Sequence, residues 1–222
     1  VRYFSREDDR CLIDPRRARD DPAIGPLVLL ILTAADLTRW LDLAGGEIRK
    51  DFGFFRLYGR KMGPGTLSVA GPALGAPQAA LVLERLIALG GRRFLVFGWC
   101  GSLRPDLGVG RIVLVRRAVS QEGTSRHYPL GRRRPAADPQ LAAGLRETLD
   151  RAGADFAEGT VWTTDAPLRE TVAAVRRFQD RGVLAVDMEA SALLAVAAFR
   201  RVELALMMVV SDELHSLKWK HG

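Results

Sequence analysis

Asparagine is absent from the sequence, so it contains no acceptor for an N-linked glycan. Cysteine is nearly absent: Cys11 and Cys100 cannot build a disulfide framework. With only three histidines, no Cys/His cluster falls at metal-ligand spacing, so no metal is expected. Long hydrophobic runs are missing too. The longest, residues 24–32, contains Gly25 and Pro26 and is far too short to span a bilayer. Residues 1–19 are charged and lack the apolar core of a secretory signal. These absences point to a cytoplasmic protein with no membrane partner.

Lysine is scarce where arginine is not: 29 arginines stand against 4 lysines, within a formal charge of +7. That imbalance looks like coding bias rather than a phosphate-binding surface. The densest groups, Arg16-Arg17, Arg116-Arg117 and Arg132-Arg133-Arg134, are scattered along the chain. A nucleic-acid binder concentrates its cations on one face, so no nucleic-acid partner is expected. What is present is apolar residue, 48% of 222 positions, enough for one sizeable core.

Punctuation by glycine and proline organises the rest. Residues 1–24 read as a polar leader and 25–222 as one domain. Residues 27–33 form a short apolar run entered by Gly25-Pro26, a buried strand; 36–44 are weakly helical and end at Gly45-Gly46. Residues 52–58 and 66–70 read as strands. Pro77 opens a helix whose Ala80, Leu83, Leu86 and Ile87 share a face before Gly90-Gly91 closes it. Strands at 94–97, 111–115, 160–163 and 183–186 alternate with helices starting at Asp138-Pro139, at Leu168 and at Glu189. Residues 202–210 are apolar enough for a central strand buried on both faces. This alternation predicts a single-domain α/β fold: a mixed, largely parallel central sheet with helices on both faces, in three layers.

Ligands in such sheets bind at the C-terminal ends of strands. Four segments place small or polar residues there: 98–102, 122–128, 162–165, and Asp187-Met188-Glu189 together with Ser211-Asp212. Taken singly, Glu189 and Asp212 are as well explained as helix caps as they are as functional carboxylates.

In order along the chain, Gly98-Trp99-Cys100-Gly101-Ser102, Glu122-Gly123-Thr124-Ser125, Gly159-Thr160-Val161-Trp162-Thr163-Thr164-Asp165, Asp187-Met188-Glu189-Ala190 and Val209-Val210-Ser211-Asp212 resemble the nucleoside phosphorylase family. The likeness runs from about Leu27 to Asp212, and its Asp-Met-Glu-Ala and Ser-Asp steps are the specific parts. It implies cleavage of the N-glycosidic bond of a nucleoside. Glu189 would accept hydrogen bonds from the ribose hydroxyls, with Met188 packed on the sugar. Asp212 would be the general acid that protonates the leaving base. Trp162 would stack on the base, with Thr163, Ser211 and Arg169 around it. A ring nitrogen to protonate favours a purine. No cofactor is implied; inorganic phosphate enters as co-substrate. Active sites shared across subunits imply a homo-oligomer, a dimer or a hexamer, with residues 47–60 as the segment that reaches a neighbour. His127 is either in such a neighbour-facing loop or surface decoration.

The phosphate subsite departs from the pattern. Family members carry an arginine where this chain has Val96, and a hydroxyl beyond Gly98 where it has Trp99. The early loop reads Thr33-Ala34-Ala35-Asp36-Leu37, without the family's Gly-Asp-Pro and arginine. Arg39, or Arg49 of a neighbouring subunit, is left to compensate a phosphate dianion. Three readings follow: a phosphorylase with a rebuilt phosphate subsite, a nucleosidase using water with Asp36 as base, and a nucleoside-binding homologue without turnover.

Overall fold

A computed structural model describes residues 11–130 and 135–222. The first ten residues of the leader and the Arg132-Arg133-Arg134 group lie outside the described residues. In chain order the elements are β1 (Leu27–Ile31), α1 (Ala34–Ala44), β2 (Glu47–Asp51), β3 (Arg56–Met62), β4 (Gly65–Gly71), α2 (Ala76–Leu89), β5 (Arg93–Ser102), β6 (Ile112–Gln121), α3 (Pro139–Arg151), β7 (Phe156–Thr164), α4 (Val172–Gln179), β8 (Ala185–Asp187), α5 (Ala190–Arg200), β9 (Glu203–Glu213) and β10 (Lys220–His221).

The strands form one mixed sheet in the order β10-β9-β6-β7-β8-β5-β1-β4-β3-β2, and β9 also pairs with β5. The run β9-β6-β7-β8-β5 therefore returns to β9 as a closed ring, and β1-β4-β3-β2 extends from it. Parallel pairs such as β1–β5, β5–β9 and β6–β7 mix with antiparallel β6–β9, β5–β8 and β3–β4.

Helices cover both faces, and β1 shows why. Successive strand residues point to opposite sides. Val28 and Leu30 join a core with Leu83 and Leu86 of α2 and Leu193 of α5, while Ile31 packs with Leu37 of α1. Helix α5 is buried without a break from Ala190 to Ala197, as its alanine-rich, all-round apolar sequence requires.

Caps set the helix starts. Thr33 accepts from the Asp36 amide at α1, and Asp138 from the Gln140 and Leu141 amides at α3. The leader is pinned from within. Asp21, buried, pairs with Lys50 of β2 and Arg85 of α2.

Three expectations shift. The strand read over residues 52–58 is a hairpin, because Gly53 has φ +84 and donates its amide to Asp51 Oδ1 at 2.7 Å. The helix read from Leu168 begins only at Val172, because the Thr171 hydroxyl caps Ala174 and residues 167–169 form a separate 3-10 turn. The strand read over residues 94–97 runs on through the glycine-rich segment 98–102 as the last half of β5, which pairs with β9 out to Ser102↔Glu213.

Candidate active site

The C-terminal ends of β5, β8 and β9 meet at a cleft of about 490 Å³. Its described lining includes Glu170, Asp187, Glu189 and Asp212, together with Met188, Ser211, Thr33, Trp99, Leu168 and Trp219. No arginine or lysine is among the described residues that line it.

Asp212 reaches the cleft through a bulge. Cys100 pairs with Val210 and Gly101 with Asp212, so Ser211 is an extra residue on β9. The bulged serine donates its hydroxyl to Asp212 Oδ1 at 2.7 Å. Opposite stands Gly101, where an added Cβ would lie 3.1 Å from Asp212 Oδ2; glycine keeps that room open. Asp212 lies within β9, which runs on to Glu213, so it is no helix cap.

Glu189 holds the N-cap position of α5, but its side chain makes no capping hydrogen bond. The start of α5 is held by Asp187, whose Oδ2 accepts from the Glu189 and Ala190 amides at 2.8 and 2.5 Å. Thr163 donates its hydroxyl to Asp187 Oδ1 at 2.7 Å and accepts from the Ser191 amide. Behind it, Glu122 is fully buried, accepting from the hydroxyls of Ser120 and Ser191 and from the Ser125 amide. Burial pushes Glu122 up, but the bonds from Ser125, Ser120 and Ser191 win and hold it below the ordinary carboxylate range.

With capping assigned to Asp187, the Glu189 side chain is free for the cleft. Its Oε1 accepts from the Gly75 amide at 2.6 Å. Burial, then the neighbouring Asp187 charge, push the Glu189 carboxyl well above the ordinary range.

The structure thus brings Asp212, Met188, Glu189, Ser211 and Trp99 together, as the sequence reading expects, and leaves others outside. Trp162 is 1% exposed, stacked on Phe178 at 4.4 Å in a cluster with Val175, Val183 and Val186. It is a core residue and cannot stack on a base. Thr163 is also fully buried and reaches the cleft only through Asp187. Arg169 is exposed and absent from the lining, although Pro167, Leu168 and Glu170 beside it contribute. Val96 and Gly98 lie on the buried side of β5; Val96 is in the core, and a Cβ at Gly98 would meet Leu32 at 2.6 Å. Of these three, Trp99 lines the cleft.

Asp36 does not line the cleft; its Oδ2 accepts from the Thr33 hydroxyl, which does. Arg39, Arg49 and His127 are exposed and outside the lining. Glu170 and Trp219 line it and were not singled out by sequence. Burial, then the charge of Asp212, push Glu170 up to about 7.

Comparison with known proteins agrees with this geometry. The Phosphorylase superfamily model matches residues 29–221. A guanosine phosphorylase of Halorubrum lacusprofundi is 28% identical over 67% of this chain and 61% of its own length. A DeoD-type purine nucleoside phosphorylase of Bacillus cytotoxicus is 29% identical over 76% and 71%. The matched region thus spans about three fifths to seven tenths of these relatives. The fold is that of uridine phosphorylase from Vibrio fischeri, with a TM-score of 0.80, 21% identity, and 87% and 82% of the two chains covered. Together with the acidic cleft at the ends of β5, β8 and β9, these matches place the chain in the Phosphorylase superfamily.

Proposed function

We propose that this protein cleaves the N-glycosidic bond of a nucleoside, purine nucleosides first, in the manner of the nucleoside phosphorylases it resembles. The observation that carries this reading is the pairing, across one cleft, of Glu189 with the Ser211-Asp212 bulge.

Glu189 accepts hydrogen bonds from the ribose hydroxyls, with Met188 against the sugar. Asp212 gives its proton to a ring nitrogen of the purine, and the bond from that base to C1′ of the sugar breaks with its electrons on the base. The sugar passes through an oxocarbenium-like state, and an oxygen nucleophile bonds to C1′. Asp212, ionised as its proton leaves, adds negative charge near that cation.

Phosphate is the nucleophile favoured by the relatives, with its counter-charge brought by Arg39 or by Arg49 of a neighbouring subunit in a homo-oligomer. A cytoplasmic location belongs to the same reading. No described helix is long and apolar enough to cross a membrane.

Water as nucleophile is the second reading. It is favoured by Trp99, which stands in the cleft where the resemblance expects the phosphate hydroxyl ligand. Product analysis separates the two. With phosphate present, a phosphorylase yields the free base and a ribose phosphate, and its turnover saturates in phosphate. A hydrolase yields free ribose at a rate indifferent to phosphate.

A further inference from the structure

Trp219 stands out among the tryptophans. Trp162 is buried with its indole N–H unpartnered among the described residues. Trp219 is 68% exposed, lines the cleft, and spends its one donor on Asp212 Oδ2 at 3.0 Å. It is carried there by a tight return of the chain. Leu217, at φ 62, donates its amide to Leu214 O. Lys220 and His221 then pair with Glu213 and Asp212. The Lys220 ammonium sits 3.0 Å from Glu213 Oε1, and the Gly222 amide donates to Ser211 O. Four interactions thus fix the short strand that delivers the indole.

We propose that Trp219 is a positioning residue for Asp212, and that its ring forms the wall of the cleft on the side of the leaving base. This rests on the nucleoside-cleaving role given to Asp212. The two donors take one carboxylate oxygen each, Ser211 on Oδ1 and Trp219 on Oδ2, which fixes the plane of the group. A carboxyl group has about four lone-pair sites, so two donors leave room for the proton that Asp212 delivers. An indole N–H can only donate, so it cannot compete for that proton. A solvent-exposed indole beside a polar tip suits a surface that a flat, apolar ligand covers on binding.

Trp219→Phe keeps the aromatic wall and deletes the donor; Trp219→Ala deletes both. Base release from guanosine is measured for the wild type and the two variants, with thermal melts to establish folding. Trp219→Phe is expected to lower kcat about ten-fold while KM stays within about three-fold, the signature of a lost hydrogen bond to a charged group. Trp219→Ala is expected to raise KM as well. A Trp219→Phe protein with wild-type kcat, whether or not KM changes, overturns the proposal, because a purely packing role for the ring survives that substitution. If the wild type releases no base from any nucleoside, the functional reading itself falls and this inference falls with it. Wild-type turnover matched by Trp219→Phe removes this inference alone.

Discussion

Two sets of residues that line the cleft are held differently. In the first, a bulge and two donors hold Asp212, and Asp187, Thr163 and Glu122 brace the start of α5, where Glu189 stands. In the second, Trp99, Leu32 and Thr33 offer an indole, a leucine and a capping threonine, and no cation is among the described residues that line the cleft. On the proposed reading, the groups that recognise the sugar and release the base belong to the first set, whereas no cation among the described lining compensates an anionic nucleophile. Leaving-group chemistry and choice of nucleophile are then separable, and substitutions in the two sets should separate them.

The largest effect is expected in the first set. Asp212→Asn should lower turnover by ~10²–10⁴ with nucleoside affinity nearly unchanged, as for a lost general acid; steady-state kinetics with a direct binding measurement checks both. Next comes Glu189→Ala, which should weaken ribonucleoside binding by about 1.5–3 kcal/mol. A 2′,3′-dideoxy analogue should lose much less, and calorimetric titration of the pair compares them. Equal losses would place Glu189 away from the sugar.

In the second set, Trp99→Ser frees volume but supplies no charge. It should lower the half-saturating phosphate concentration only a few-fold, read from phosphate titrations of base release. A wild-type phosphate affinity as tight as that for the nucleoside would erase the contrast between the two sets.

The smallest effect concerns stability. Glu170 has an ordinary value of 4.5 and is raised by burial and Asp212 to about 7. In that window the unfolded chain releases a proton that the folded chain keeps, so wild-type stability falls as pH rises through it. Glu170→Gln removes this penalty. The melting temperature of the variant relative to wild type should climb across the same window and level off above it. A difference that does not vary with pH would refute the assignment.

Much of the frame was legible in the sequence. Pro77 with Gly90-Gly91, and Asp138-Pro139, mark real helix ends because a fixed φ, a lost donor and the positive φ of Gly90 act locally. β2 was not legible, since an exposed edge strand reading Glu-Ile-Arg-Lys-Asp has little apolar pattern to announce it.

In the site, the carboxylates of β8–α5 and β9 were found because motif order brings them to strand ends. Their cap-or-function ambiguity needed the structure, which gives capping to Asp187. Trp162 was misplaced because period-two alternation fixes that neighbours face apart but not which face meets the cleft. Glu170 sits in an irregular loop without periodicity, and Trp219 depends on a chain return set by Leu217 and the pairing with β9. Neither leaves a local trace.

The most direct test of the account is chromatographic measurement of free base released when the unmodified protein is incubated with guanosine, inosine, adenosine and uridine in phosphate buffer. The account predicts release of base from at least one purine nucleoside, faster than from uridine and abolished to background by Asp212→Asn. No base released from any of the four, by a folded protein, would contradict it.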